Sequence, residues 1–214
     1  MTKVSHMGQI GTPGPTAPDV VLASSSPSRR RLLANAGVSV TCRAAEIDEH
    51  SVKAALASEA ADAAQVAETL AELKAQRIAR RFPGALVIGA DQMLECDGAW
   101  FDKPETLDQA AEQLQALSGR MHRLISSACV VRDGACLWHH GDHARLTMRP
   151  LSDDFIDAYL AVVGKHALDS VGAYQLEGPG AQLFGRVEGD YFTILGLPLL
   201  PLLDFLRNHR VLLT

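Results

Sequence analysis

Several things are missing from this 214-residue chain, and each absence narrows what it can be. No apolar run is long enough to span a bilayer. The longest candidate, Ile194 to Leu206, is interrupted by Gly196, Pro198 and Pro201. The N-terminus has no continuous apolar stretch of the kind a secretory signal needs. It is rich in Gly, Pro and Thr up to Pro18, so residues 1–18 read as a disordered extension outside the fold. The four cysteines (Cys42, Cys96, Cys129, Cys136) form no CxxC pair and show no zinc-ligand spacing with histidine. With no secretory signal they read as reduced thiols of a cytoplasmic protein. There is no long basic tract and the net charge is −5. This argues against nucleic acid as a partner, because broad phosphate neutralisation needs a basic surface. An anionic ligand must be held by a local basic cluster or a metal. No internal repeat is present.

Apolar residues make up 47% of the chain, enough for a sizeable core in one α/β domain over residues 19–214. Val20–Ala23 reads as a buried strand. Ser26 is an N-cap, Pro27 fits the first helical position, and Gly37 stops the helix that Leu32, Leu33 and Ala36 pack. Residues 63–81 carry a helical apolar face through Val66, Leu70, Leu73 and Ile78. Ala85–Ala90 reads as a second buried strand ending at Asp91. Asp97-Gly98 and Asp133-Gly134 mark hairpins, the latter between strands near 125–131 and 135–139. Thr106 and Ser152 cap helices to about Leu117 and Val162. A Gly-rich segment from Gly172 to Gly189 precedes a final strand near Tyr191, and Pro198 opens a last helix. The alternation predicts an α/β fold, a mixed sheet flanked by helices.

Chemistry concentrates at a few places. SSSPSRRR puts hydroxyls and guanidinium groups around a helix N-terminus, a good cradle for phosphate; the same pattern also describes an ordinary capped helix with a solvated basic face. Asp91, at the carboxyl end of an apolar strand, stands where open α/β sheets place ligands, and could hold a cation or take a proton from water; it could equally just end the strand. Glu46, Asp48 and Glu49 in EIDE could join Asp91 around a divalent ion through oxygen ligands, or form a solvated acidic loop. Lys74 and Lys103 could each reach a phosphate as point charges. HHGDH (His139, His140, His143) suggests a metal at a hairpin end, but no other ligand spacing supports zinc there.

In order along the chain, LASSSPSRR, EIDE, LKAQ, VIGADQ, the Lys103-Pro104 step, LSGRMH, GAYQLEGPGAQLF and ILGLPL resemble the Maf family of nucleoside triphosphate pyrophosphatases. Any one of these is weak; eight in order, spanning about Val21 to Leu206, are specific. The resemblance implies two lobes around a nucleotide-binding cleft and cleavage between the α- and β-phosphates with a divalent cation, Mg²⁺ or Mn²⁺. It implies Asp91 as proton acceptor, with Glu46 beside it at the metal. Ser24, Ser26, Arg29, Arg30, Lys74 and Lys103 then fall in the phosphate neighbourhood. Ser28, Gln92 and Glu177 match the family's substrate selectors. One branch, preferring thymidine and uridine triphosphates, has Arg, Thr and Gln there. The other, preferring 7-methylguanosine triphosphate, has Trp, Gln and Glu. This chain leans to the second branch but carries Ser28 in place of the aromatic. Alternatives are a pyrimidine-preferring or broad pyrophosphatase and, from another class, a non-hydrolytic nucleotide-binding regulator of cell division. Asp91 together with both lysines favours the enzyme. The nucleoside triphosphate is the expected partner, no membrane partner is expected, and a homodimer stays open.

Overall fold

A computed structural model describes residues 18–213, so the reading of residues 1–18 as an extension lies almost wholly outside the described residues. A mixed seven-stranded sheet has the order β2-β1-β3-β5-β6-β7, with β4 (Ala99–Phe101) paired to β3. Short β1 (Val20–Leu22) runs parallel to β2 (Thr41–Cys42) and to β3 (Leu86–Cys96), while β3, β5 (Met121–Arg132), β6 (Ala135–Met148) and β7 (Phe184–Glu188) are antiparallel neighbours.

Local chemistry sets most boundaries. In α1 (Pro27–Asn35), the Ser26 hydroxyl accepts the Arg29 N–H and proline occupies the first turn. In α3 (Ala63–Ala79), Asp62 and Gln65 form a reciprocal capping box. Thr106 and Ser152 cap α4 (Leu107–Leu117) and α5 (Asp153–Val163) as the sequence predicts. Both Asp-Gly pairs turn with positive φ at each residue, closing β3 onto β4 (Ala99–Phe101) and β5 onto β6. The last helix, α7 (Leu199–Asn208), follows Pro198.

The structure departs from the sequence reading at five places. First, β3 does not end at Asp91 but continues to Cys96, because Asp91 through Glu95 pair with Ser127 through Arg123 of β5. Asp91 still lies beyond the end of the parallel β1–β3 pairing, which stops at Ile88. Second, EIDE is not a plain loop: Asp48 accepts the Ser51 N–H at 3.0 Å and starts α2 (Glu49–Ser58). Third, β6 is longer than expected, so the HHGDH histidines lie in mid-strand, alternating between faces, rather than at a hairpin end. His139 sits 3.4 Å from Glu68 while His140 stacks on Trp138. Among the described residues no three metal-binding side chains converge. Fourth, the Gly-rich segment contains β7. Fifth, Tyr191–Ile194 is a helical turn, α6, because the Asp190 carboxylate accepts the Thr193 N–H.

Two features of the packing position the site. On one sheet face, α3 lies unusually close to β3. A Cβ added to Gly89 would fall 2.0 Å from the Ala71 carbonyl oxygen and 2.8 Å from the Ala75 Cβ. Glycine in the strand and alanine in the helix permit this approach, which brings Lys74 of α3 against Asp91, two residues beyond Gly89 on the same face. On the opposite face the core divides. Leu86, Ile88, Ala90, Ala128 and Val130 pack under α1 and α7, while Leu94, Leu124 and Leu146 pack under α4 and α5. Gln92 and its cross-strand partners Ser126 and Asp142 cross the gap as a polar line. All three converge on Thr193 of α6. Gln92 Nε2 and Ser126 Oγ donate to its carbonyl at 3.1 and 2.8 Å, and its hydroxyl donates to Asp142 at 2.9 Å. The polar line fastens Thr193 and Ile194 over the sheet.

Candidate active site

A cleft of about 440 Å³, a size suited to a small organic ligand, opens where β1 ends and α1 begins. Its walls include Ser24, Ser26, Ser28 and Arg29 from the β1–α1 turn, and Glu49 and Lys53 from α2. Lys74, Asp91, Gln92, Lys103, Glu177 and Gly196 complete the functional lining.

At its centre the buried Lys74 ammonium sits 2.5 Å from Asp91 Oδ1 and 2.8 Å from Glu49 Oε1. Burying this amine is tolerable because two carboxylates surround it. Among the described residues Asp91 Oδ2 has no hydrogen-bond partner in the protein. Beside this trio, Arg29 is buried. Its Nε donates to the Gly196 carbonyl at 2.7 Å and Nη1 to the Ser24 hydroxyl at 3.3 Å. Ser24 also accepts the Ser26 N–H, so the serine turn and the guanidinium hold each other in place. Burial pushes the Arg29 guanidinium below its usual proton affinity, against the pull of Asp91 and Glu49. Lys103 is pushed down first by burial and then by the Arg29 charge. A cation destabilised by burial and by a second cation gains most from an arriving anion. Across the mouth, Lys53 of α2 pairs with Asp102, next to Lys103.

The structure thus brings together Ser24, Ser26, Ser28, Arg29, Lys74, Asp91, Gln92, Lys103 and Glu177. Arg30 and Glu46 lie outside the lining, and both are exposed. One residue along α1 is a rotation of about 100°, so with Arg29 turned inward Arg30 faces solvent. Glu46 precedes α2 at the centre of a tight turn in which the Ile47 N–H donates to the Ala45 carbonyl at 3.0 Å. Its expected place beside Asp91 is taken by Glu49, the first residue of the helix, while Asp48 spends its carboxylate capping that helix through Ser51. The residues of EIDE alone leave Glu46, Asp48 and Glu49 unranked, and the family resemblance points to Glu46 rather than Glu49. An N-cap at Asp48, with Val52 and Leu56 one turn apart behind it, was the signal that could have singled it out. Gln92 lines the cleft, but its amide nitrogen is spent on Ser126 and the carbonyls of Thr193 and Ile194, leaving its oxygen for a ligand.

The oxygen chemistry suits a hard divalent cation. Two carboxylates already converge on a positive charge, and Mg²⁺ is commonly held by one or two carboxylates with phosphate and water completing the shell. Among the described residues no third carboxylate, histidine or cysteine joins them, so a bound ion would rely on ligands from outside the protein.

A family model described as Maf-like protein matches residues 19–209. The nucleoside triphosphate pyrophosphatase of Paramagnetospirillum magneticum is 56% identical over 189 residues, covering 88% of this chain and 97% of that protein. The 7-methyl-GTP pyrophosphatase of Rhizobium johnstonii is 56% identical over 191 residues, 89% of this chain and 96% of its own length. That of Brucella abortus is 50% identical over the same length and the same shares. A match through nearly the whole folded region, with relatives this similar end to end, means that the chain belongs to the Maf family.

Proposed function

We propose that this protein hydrolyses a nucleoside triphosphate between the α- and β-phosphates, releasing the nucleoside monophosphate and pyrophosphate. The observation that carries the reading is the cluster in which the buried Arg29, Lys74 and Asp91 share one cleft with the more open Lys103 and Glu49. Fixed cations in a partly dry site stabilise a polyanion and the charge that grows on a departing pyrophosphate. A pure binder of triphosphate has no need of a water-activating carboxylate beside a polyanion.

Asp91 is the proton acceptor. Oδ1 is held by Lys74, so the carboxylate keeps one orientation, and Oδ2 is left to orient a water and take its proton. The water oxygen bonds to phosphorus as the bridging P–O bond breaks and the pyrophosphate leaves with its electron pair. Arg29 and Lys103 offset the charge of the phosphates, and the Ser24–Ser26 turn at the start of α1 supplies hydroxyls and a helix N-terminus beside them. No side chain need form a covalent intermediate. Asp91 and Glu49 are the residues that would hold Mg²⁺ or Mn²⁺, with Lys74 displaced or shared. Such an ion would supply further neutralisation of phosphate charge.

For the base, Glu177 supports a guanine-type substrate, including 7-methylguanosine triphosphate. Its carboxylate can accept the adjacent N–H groups of guanine and attract the positive charge of a methylated ring. The Rhizobium and Brucella relatives carry that substrate in their names. Ser28 offers no ring on which a cationic base could stack. The test is pyrophosphate release across a panel of nucleoside triphosphates, with Mg²⁺, with Mn²⁺ and with a chelator. Turnover that needs the ion and ranks guanine-type nucleotides first supports the reading. Tight binding without pyrophosphate release would leave a regulator instead.

A further inference from the structure

Glu177 does not stand alone at the cleft mouth. Arg31 of α1 reaches across and its Nη2 donates to Glu177 Oε1 at 2.6 Å. Arg31 lies one turn beyond Ser28, on the side of the helix that faces the cleft, but at the rim rather than in the lining. The Arg31 side chain is 54% exposed and that of Glu177 is 22% exposed. A pair this open adds little to stability and is free to rearrange around a ligand. The turn bearing Glu177 is tightly drawn: a Cβ on Gly180 would lie 2.5 Å from the Gln175 carbonyl oxygen, and the Gly178 N–H bonds that same carbonyl. Glu177 is therefore presented from a closed loop and Arg31 from a helix, two well-supported elements meeting at one point.

Building on Glu177 as the residue that meets the base, we propose that Arg31 and Glu177 together form the reader, and that Arg31 determines specificity. Side by side they present an acceptor next to a donor. The complementary edge is a ring N–H beside a carbonyl, which guanine, uracil and thymine share. Adenine and cytosine carry the reverse order, an amino donor beside a ring acceptor, which sets donor against donor and acceptor against acceptor. The pair selects keto bases over amino bases. Arg31 has a second effect through its charge. It offsets Glu177, so the enzyme attracts a cationic 7-methylguanine less than a lone carboxylate would.

Two substitutions separate these effects. Arg31→Leu removes both the donor and the charge, and Arg31→Gln keeps a donor while removing the charge. Specificity constants are measured for guanosine, 7-methylguanosine, uridine, adenosine and cytidine triphosphates. The wild type favours the keto bases. Arg31→Leu lowers the ratio of guanosine to adenosine triphosphate by about tenfold or more, the scale of a lost hydrogen bond to a charged group. Arg31→Gln keeps most of that ratio. Both variants raise the ratio of 7-methylguanosine to guanosine triphosphate. Weaker phosphate attraction lowers the constants of the uncharged bases together and leaves the ratio of guanosine to adenosine triphosphate alone, so a general electrostatic role would not move that ratio. Equal use of keto and amino bases by the wild type, or unchanged ratios in Arg31→Leu, overturns the proposal. If the wild type releases no pyrophosphate, the hydrolytic reading fails by itself. Dissociation constants for the same nucleotides, measured by calorimetry, then decide the Arg31 question with the same ratios.

Discussion

Lys74 Nζ lies 2.5 Å from Asp91 Oδ1, though the two are 17 positions apart, separated by the rest of α3, a turn and the first half of β3. The contact exists because Gly89 lets helix and strand approach, and it fixes the carboxylate that would take the proton. Asp91→Asn keeps the shape of the side chain but not its ability to accept a proton. Turnover should fall about 10²–10⁴-fold, the usual contribution of a general base. Glu49 still partners Lys74 in the variant, so the fold should persist by circular dichroism. A folded Asp91→Asn protein with near-normal pyrophosphate release would remove Asp91 from the mechanism.

Lys103 predicts a pH dependence of substrate binding. Burial and the neighbouring Arg29 charge hold its ammonium below the ordinary lysine value of 10.5. The cation therefore discharges at a lower pH than a solvated lysine, and triphosphate binding weakens as pH rises through that window. KM should climb there, ahead of any loss of fold. Lys103→Arg, whose guanidinium stays charged, should flatten the climb. An identical alkaline rise in KM for both proteins would place the titrating group elsewhere.

Gly89→Ala should be among the most damaging single-methyl additions in the chain. The new Cβ would meet backbone, the Ala71 carbonyl at 2.0 Å, which cannot rotate away. Overpacking of this kind typically costs about 1–3 kcal/mol, or more where backbone must shift. At roughly 2–4 °C per kcal/mol for a chain of this size, Tm should fall by several degrees or more. Because α3 must move away from β3, kcat should drop in the protein that remains folded. Gly141→Ala is the control: no atom lies within 4 Å of its would-be Cβ and its φ is not positive, so Tm should barely change. Equal Tm values for the two variants would contradict the packing described.

His122 makes the fold sensitive to acid. It is buried, its Nε2 lies 2.7 Å from the Tyr174 hydroxyl, and its Nδ1 has no partner. Burial pushes its pKa down from 6.5 to about 4. In the unfolded chain the ring gains a proton near pH 6.5, whereas the folded protein resists until about 4. The unfolded state therefore binds more protons in between, and stability is lost as pH falls through that window. The loss from this one group is about 3 kcal/mol in all, at 1.36 kcal/mol per pH unit. Urea unfolding at pH 7.5 and at pH 4.5 should show it. His122→Phe should be less stable at neutral pH, because the Tyr174 hydroxyl loses its partner, yet lose less on acidification. An unchanged pH slope in the variant would clear His122.

Much of this protein was already determined by short stretches of its sequence. Ser26, Thr106 and Ser152 cap helices because a hydroxyl next to a free backbone N–H is satisfied locally, whatever the rest of the chain does. The two Asp-Gly turns reverse strands for the same kind of reason, since glycine and aspartate accept positive φ. The ordered motifs were enough to place the chain in its family. Tertiary structure decided which of several similar neighbours does the work. Arg29 rather than Arg30 enters the cleft because α1 has a rotational phase set by what Leu32 and Leu33 pack against. Glu49 rather than Glu46 meets Lys74 because α2 begins at Asp48. Tyr191–Ile194 looks like a strand by its apolar run but turns helical under the Asp190 cap and the polar line of Gln92, Ser126 and Asp142. Arg31 met Glu177, 146 residues away, only once the chain had folded, because no local pattern records a contact between a helix and a loop that distant.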